Sequence, residues 1–292
     1  MKVAIIGGSG KMGAWCARFL KNEGKEVLLI GRSRDRLAPV SAELGVPATT
    51  DTATTSEADV IIISVPVDHF EEVVKNLSQY TNDEQIILDI TSLKTAPVAA
   101  MQKHIKKGRI LGTHPVFGPG ASSAAGQHFV LTPTNKQEST LAEEVKGFLE
   151  KRGGIVSLMT PAEHDEMMAV ILGLAHYIAI VSADTLLNFK NRKKMEAVSG
   201  ITYRVLLTLV ESVLSEDPEL YASLQINMPG LAQKQELFQE AARRWAEMVK
   251  NGDSRQFISR MTALKEQLQK ENPEFGKSYQ KMYRIDDELK KG

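Results

Sequence analysis

The sharpest chemistry in this 292-residue sequence lies in Gly112-Thr113-His114-Pro115-Val116-Phe117-Gly118-Pro119-Gly120, where a histidine follows a short apolar run. An imidazole held there by flanking glycine and proline can accept a proton near neutral pH. Oxidation of an alcohol by hydride loss requires such a base. Two other segments place polar groups after apolar runs. Ser64-Val65-Pro66 ends a strand at a proline, and Thr91-Ser92-Leu93-Lys94 offers a hydroxyl pair and an ammonium. Ligands of open α/β sheets gather at the carboxyl ends of strands, so all three are candidate positions. His69 and His104 fall on expected helices and His128 opens a strand, none of them with an accompanying motif. No His, Cys or carboxylate cluster has metal-ligand spacing, so no metal is expected.

A hydride acceptor is implied by the opening residues. The run Lys2-Val3-Ala4-Ile5-Ile6 enters Gly8-Ser9-Gly10-Lys11-Met12-Gly13 and then a helical pattern. In that setting Gly8 permits the tight turn, Gly10 lets the backbone approach a pyrophosphate, and Gly13 lets the helix pack close to the strand. The helix N-terminus then faces the phosphates. NAD-binding folds place a carboxylate after the second strand to hold the ribose. Here Gly31-Arg32-Ser33-Arg34 stands instead, two guanidinium forks and a hydroxyl suited to a 2′-phosphate. NADP is the expected cofactor, ahead of NAD, and Asp35 is the expected N-cap of the next helix.

These residues must be carried by elements. Short β-branched runs predict strands over 2–6, 26–30, 60–65, 86–90, 109–111, 128–131 and 155–158. Apolar spacing of three and four predicts intervening helices over 11–23, 35–44, 68–77, 96–105 and 136–151. The alternation reads as a Rossmann-type doubly wound parallel sheet. Beyond about Pro161 strand signals cease, so the expected division is a nucleotide-binding domain over 1–160 and an all-α domain over 161–292 for substrate binding and dimerisation. Residues 166–187 are apolar on nearly every side, which predicts a helix enclosed all round, with a second copy of the chain as its natural cover. A membrane span is disfavoured because His176, Ser182 and Asp184 interrupt the run. Helices are expected over 231–250, with an apolar stripe of Leu237, Phe238, Ala241, Trp245 and Met248, and over 254–270; residues 286–292 are expected to be a solvated tail.

Composition narrows the function classes. Thirty-six basic residues balance thirty-six acidic ones. No overall field would gather nucleic acid or an anionic membrane. The single cysteine, Cys16, forms no intramolecular disulfide and is expected to pack in a helix, which suits a reducing compartment. With no secretory pattern at the N-terminus, the expected location is cytoplasmic.

Taken in order, the motifs resemble those of the prephenate and arogenate dehydrogenases of tyrosine biosynthesis. They are the glycine loop, Ser64-Val65-Pro66, Asp89-Ile90-Thr91-Ser92-Leu93-Lys94, His114-Pro115-Val116-Phe117-Gly118-Pro119, Glu163-His164-Asp165, Leu174-Ala175-His176, Thr202-Tyr203-Arg204 and Ser215-Glu216-Asp217-Pro218-Glu219-Leu220-Tyr221. The resemblance implies a cyclohexadiene substrate that becomes aromatic on losing hydride and carbon dioxide. It makes His114 the hydrogen-bond acceptor for the substrate hydroxyl, Ser92 its support, Lys94 a nearby fixing group, Arg204 the carboxylate holder and His176 a pocket residue. Ala175 departs from the proline common in the family, and Gly200 stands where many members place a lysine. No fused mutase or amino-acid-sensing domain is evident, and prephenate and arogenate are not distinguished. The rival readings are another small NADP-dependent dehydrogenase or reductase, disfavoured by His114-Pro115, and a non-catalytic NADPH-binding sensor, which needs no Ser92, His114 and Arg204 set.

Overall fold

A computed structural model describes residues 1–290 and divides into two compact units, Met1–Met168 with Ala222–Pro229, and Ala169–Tyr221 with the chain from Gly230 onward. The first unit is built on strands β1 (Lys2–Ile6), β2 (Glu26–Ile30), β3 (Ala48–Thr49), β4 (Val60–Ile63), β5 (Ile86–Asp89), β6 (Arg109–Pro115), β7 (His128–Thr132) and β8 (Ile155–Leu158). They form one sheet in the order β3-β2-β1-β4-β5-β6-β7-β8. The strand order reverses at β1 and β4, which pair in parallel from Val3↔Val60 to Ile6↔Ile63. This is the crevice-forming switch point of a doubly wound sheet. Helices α1 (Lys11–Asn22), α2 (Arg34–Leu44), α3 (Phe70–Leu77), α4 (Thr95–His104), α5 (Lys136–Glu150) and α6 (Pro161–Met168) accompany the sheet.

Both faces of the central strands are covered, which explains their uninterrupted apolar sequences. Val3, Ala4, Ile5, Ile61 and Ile63 are fully buried. On one side Trp15, Leu20 and Leu37 join Val3, Ile5 and Leu29; on the other Phe70, Val74, Leu77 and Met101 join Ala4, Ile61 and Ile63. Cys16 belongs to the first cluster, and burial pushes its thiol up to about 12. It packs and does not react.

The sheet is mostly parallel, but β7 runs antiparallel to β6, and β8 then follows β7 in parallel. No helix lies between β6 and β7, and a parallel return needs a crossover. This pairing extends β6 four residues past the expected end at Leu111, because Gly112–Pro115 face Phe129–Thr132, with His114 opposite Val130. β4 stops at Ile63, short of the expected Val65, although the Ser64 N–H still donates to the Ile6 carbonyl at 2.8 Å. Pro66 then opens a short 3₁₀ turn, Val67–His69. Ser33, not Asp35, caps α2: its hydroxyl accepts from the Arg36 N–H, and Asp35 sits in the first turn.

The second unit is helical. It contains a π-helical segment Ala169–Leu174 and α7 (Ala175–Leu187), α8 (Arg192–Ala197), α9 (Ile201–Leu214), the start of α10 (Pro218–Asn227), α11 (Leu231–Lys250), α12 (Ser254–Glu271) and α13 (Ser278–Leu289). α7 packs on α9, and α9 on α13. The helix Pro161–Leu187 is long and apolar enough to cross a membrane, with a mean hydropathy of 1.8 in its most apolar window, and only 17% of that window is buried. The expectation of a helix enclosed all round therefore fails for the single chain. Val170, Ile171, Val181 and Leu187 remain exposed because the unit has too few helices to surround it. Of the α11 stripe, Met248 is buried and Leu237 is exposed. The expected solvated tail is also corrected. α13 continues through Leu289 and buries Asp286, which Arg204 and Lys290 neutralise, while Lys291 and Gly292 lie outside the described residues.

Candidate active site

The glycine loop follows from backbone geometry. Gly7 adopts φ +84°, and a Cβ there would stand 1.9 Å from the Ser64 carbonyl oxygen. Only glycine fits. A Cβ on Gly8 would approach Leu29 at 2.8 Å, and one on Gly13 would lie 2.5 Å from the Gly7 carbonyl oxygen. Helix α1 can therefore start directly over the strand. Its N-cap, Gly10, supplies no side-chain hydrogen bond to the first turn, and the N-terminal end of a helix attracts an anion. A crevice of about 380 Å³ opens beside it, lined by Ser9, Gly10, Lys11, Arg18, Pro119 and Gly120. Met12 packs against the core. The backbone donors, the absence of bulk and the neighbouring cations fit the pyrophosphate of a dinucleotide. Gly13→Ala is expected to cost about 1–3 kcal/mol of stability, the usual range for an overpacked site, and to weaken nucleotide binding; urea unfolding and a fluorescence titration measure the two effects.

At the end of β2, Arg32 and Arg34 are exposed and Ser33 is half-buried. Ser64 is half-buried, and its neighbour Pro66 begins the turn after β4. Ser92 is half-buried on the turn after β5.

The same turn carries a buried polar network. Lys94, expected among the substrate-binding groups, is fully buried, and its ammonium is engaged by Asp89 Oδ1 and the Thr113 carbonyl. It ties the end of β5 to β6. Asp89 Oδ1 also accepts from the Thr91 N–H at 2.9 Å, and the Thr113 hydroxyl donates to the Asp89 carbonyl at 2.6 Å. Burial lowers the Lys94 ammonium below its usual value, against the opposing pull of Asp89 and Asp165.

His114 lies on β6 beside Thr113, 4% exposed. Its Nδ1 is 2.9 Å from His164 Nε2, and the rings meet edge-on at 75°. His164 Nδ1 lies 2.8 Å from Asp165 Oδ1. Asp165 in turn accepts the Lys94 N–H at 2.8 Å and the Thr95 N–H at 2.9 Å. Among the described residues no hydrogen bond engages His114 Nε2. Burial first, then the Lys94 ammonium, hold the His114 ring well below its ordinary value despite Asp165. His114 is thus a neutral imidazole over the physiological range, with one nitrogen anchored and the other available. The sequence had singled out His114 but assigned no work to Asp89, Thr113, His164 or Asp165. The signals were polar residues at the ends of otherwise apolar strands for Asp89 and Thr113, and the Glu163-His164-Asp165 motif of the resemblance for the other two.

In the second unit His176 is half-buried, its Nδ1 has no partner, and its ring meets Tyr221 edge-on at 4.8 Å between centroids. Arg204, expected to hold a substrate carboxylate, holds one from its own chain. Its Nε and Nη2 donate to Asp286 at 2.7 and 2.8 Å, and its Nη1 donates to the Ser199 carbonyl at 2.7 Å. Among the described residues no group of three or more His, Cys, Asp or Glu is placed to hold a metal ion.

A family model described as the prephenate dehydrogenase nucleotide-binding domain matches residues 16–158, and one described as the prephenate dehydrogenase dimerization domain matches residues 160–263. In sequence the chain is similar to a probable arogenate/prephenate dehydrogenase of Methanocaldococcus jannaschii, at 33% identity over 89% of this chain, and spans 59% of that protein's length. It is 25% identical to the T-protein of Haemophilus influenzae, over 100% of this chain and 73% of that one. In fold it is similar to the crystal structure of prephenate dehydrogenase from A. aeolicus in complex with hydroxyphenyl propionate and NAD+, with a TM-score of 0.76 at 22% identity, covering 93% of this chain and 98% of that one. A Synechocystis arogenate dehydrogenase superposes with a TM-score of 0.69 at 19% identity, over 93% of this chain and 100% of that one.

Proposed function

The chain belongs to the prephenate dehydrogenase family, and from that premise we propose that it catalyses oxidative decarboxylation of prephenate or arogenate with NADP as the hydride acceptor. The observation that carries the reading is the neutral, anchored imidazole of His114 on a polar strand end. A nicotinamide ring, when bound, supplies the site that accepts hydride. His114 Nε2 accepts the hydrogen bond from the substrate hydroxyl and takes its proton as the carbonyl forms. The ring carboxylate leaves as carbon dioxide, its bonding electrons make the ring aromatic, and the resulting phenolate oxygen takes the proton back from His114. Ser92 supports the hydroxyl, and Lys94 acts indirectly by holding β5 and β6 together. From the resemblance we assign substrate-carboxylate binding to Arg204, whose fork exchanges the Asp286 carboxylate for the substrate's in this reading. His176 is assigned to the substrate pocket on the same basis.

NADP is favoured over NAD because Arg32 and Arg34 stand exposed after β2 where a carboxylate would serve NAD. Replacing both with alanine is expected to weaken NADP roughly tenfold to a hundredfold, equivalent to the ~1.5–3 kcal/mol of charge-assisted hydrogen bonds, and to leave NAD unchanged. Equal losses for the two nucleotides would reject the assignment. The deciding experiment follows reduced nucleotide by absorbance with prephenate and arogenate, each supplied with NADP and with NAD. Turnover of neither substrate removes the proposed activity.

We also propose a homodimer formed through the helical unit and a cytoplasmic location. The matched dimerization-domain model and the exposed apolar residues of the Pro161–Leu187 helix support the dimer. Sedimentation should give twice the 32.2 kDa chain mass; a single-chain mass at micromolar concentration refutes it.

A further inference from the structure

We propose that His164 and Asp165 are positioning residues that fix the tautomer of His114, leaving the hydrogen on Nδ1 and the lone pair on Nε2. The inference rests on the reading of His114 as the proton acceptor. A neutral imidazole carries one N–H, and either nitrogen can bear it. If Nε2 held it, the nitrogen free of partners would donate where the reaction needs an acceptor. The choice is therefore a condition of activity.

The hydrogen-bond chain makes that choice from its far end. Asp165 is a carboxylate and can only accept, so the hydrogen in its 2.8 Å contact with His164 belongs to His164 Nδ1. With one proton on that ring, His164 Nε2 is a lone pair facing His114 Nδ1 at 2.9 Å. Two lone pairs do not face each other at that distance, so His114 Nδ1 carries the hydrogen and donates. Nε2 is left open. The carboxylate that starts the chain is itself held: Oδ1 takes the Lys94 N–H and Oδ2 the Thr95 N–H. Since those amides lie just after Ser92, one group sets both the turn and the ring. His164 is fully buried and Asp165 nearly so, and water has little access to replace either partner. The same logic, a buried carboxylate holding a histidine tautomer, underlies catalytic triads; here a second imidazole is interposed.

The test is a nitrogen-15 spectrum of histidine-labelled protein, with His114 and His164 identified by the signals lost in His114→Asn and His164→Gln. The expected pattern is a pyrrole-like Nδ1 and a pyridine-like Nε2 on both rings. A proton on His114 Nε2, or a doubly protonated His164 ring, overturns the proposal without recourse to any variant. His164→Leu removes the acceptor and is expected to give His114 in mixed tautomers, with kcat lower by on the order of tenfold to a thousandfold, inside the range of losing a general base, and nucleotide affinity retained. His164→Gln keeps an acceptor at that position and should restore the Nδ1–H form and most of kcat. Unchanged kcat in His164→Leu, or no recovery in a folded His164→Gln, refutes the role. The expected wild-type proton pattern in a protein that oxidises neither prephenate nor arogenate supports the tautomer assignment while removing the activity, so the two readings fail separately.

Discussion

Replacing His114 with asparagine is expected to lower kcat by about two to four orders of magnitude, the usual loss when a general base is removed, while nucleotide affinity is retained. Asparagine keeps polar atoms near the ring position but none basic enough to take the hydroxyl proton. Steady-state absorbance and a binding titration separate the two effects, and near-normal turnover removes His114 from the chemistry. The pH profile of the unaltered protein provides a second check. Burial together with the Lys94 ammonium holds the His114 ring well below its ordinary value, and Asp165 opposes them only in part. The base is therefore already neutral at pH 6.5, and kcat/KM should stay level as pH falls through that value, with its His114-dependent acid limb lower. A limb centred at or above 6.5 contradicts the buried, neutral ring.

Lys94→Met is expected to destabilise the first unit by about 3–5 kcal/mol, the cost of breaking a buried ion pair from one side. Methionine keeps the apolar stem and removes the charge. Asp89 is fully buried and its Oδ2 has no partner, so the loss would leave a carboxylate short of both charge and hydrogen bonds. The Thr113 carbonyl loses its donor in the same substitution, next to His114. A double replacement, Lys94→Met with Asp89→Asn, should cost less than the two single changes added together, because neither charge is then stranded. Urea unfolding of the four proteins gives the coupling. Strict additivity, or a loss below 1 kcal/mol for Lys94→Met, refutes the buried-pair account.

Much of this architecture was legible because its signals are local. The fully buried strands β1 and β4 read as unbroken apolar runs, and Gly8, Gly10 and Gly13 announced a tight strand-to-helix turn. Gly7 was overlooked because its requirement comes from Ser64, just past the end of a neighbouring strand. Lys94 was read as a nearby fixing group, without the partners that bury it. A lysine after a strand ordinarily reaches solvent, and nothing within a few residues shows that Asp89 and Thr113 will enclose it. Residues 166–187 were read as enclosed, with a second copy as their natural cover, because they are apolar on nearly every side; composition records only that cover is needed, and the chain's own helices leave most of the apolar window uncovered.

The sequence by itself determined a doubly wound nucleotide-binding unit followed by helices, and singled out His114 as the candidate base. Repeating spacing and turn residues act over a few positions and carry that information in the chain order. Tertiary structure alone decided which polar groups meet. The antiparallel return of β7 carried β6 through His114, the chain brought His164 to that ring from fifty residues away, and Asp286 came to the Arg204 fork from eighty-two. The strength and direction of a hydrogen bond depend on distance and burial, not on separation along the chain, so these partnerships exist only once the core has closed around them.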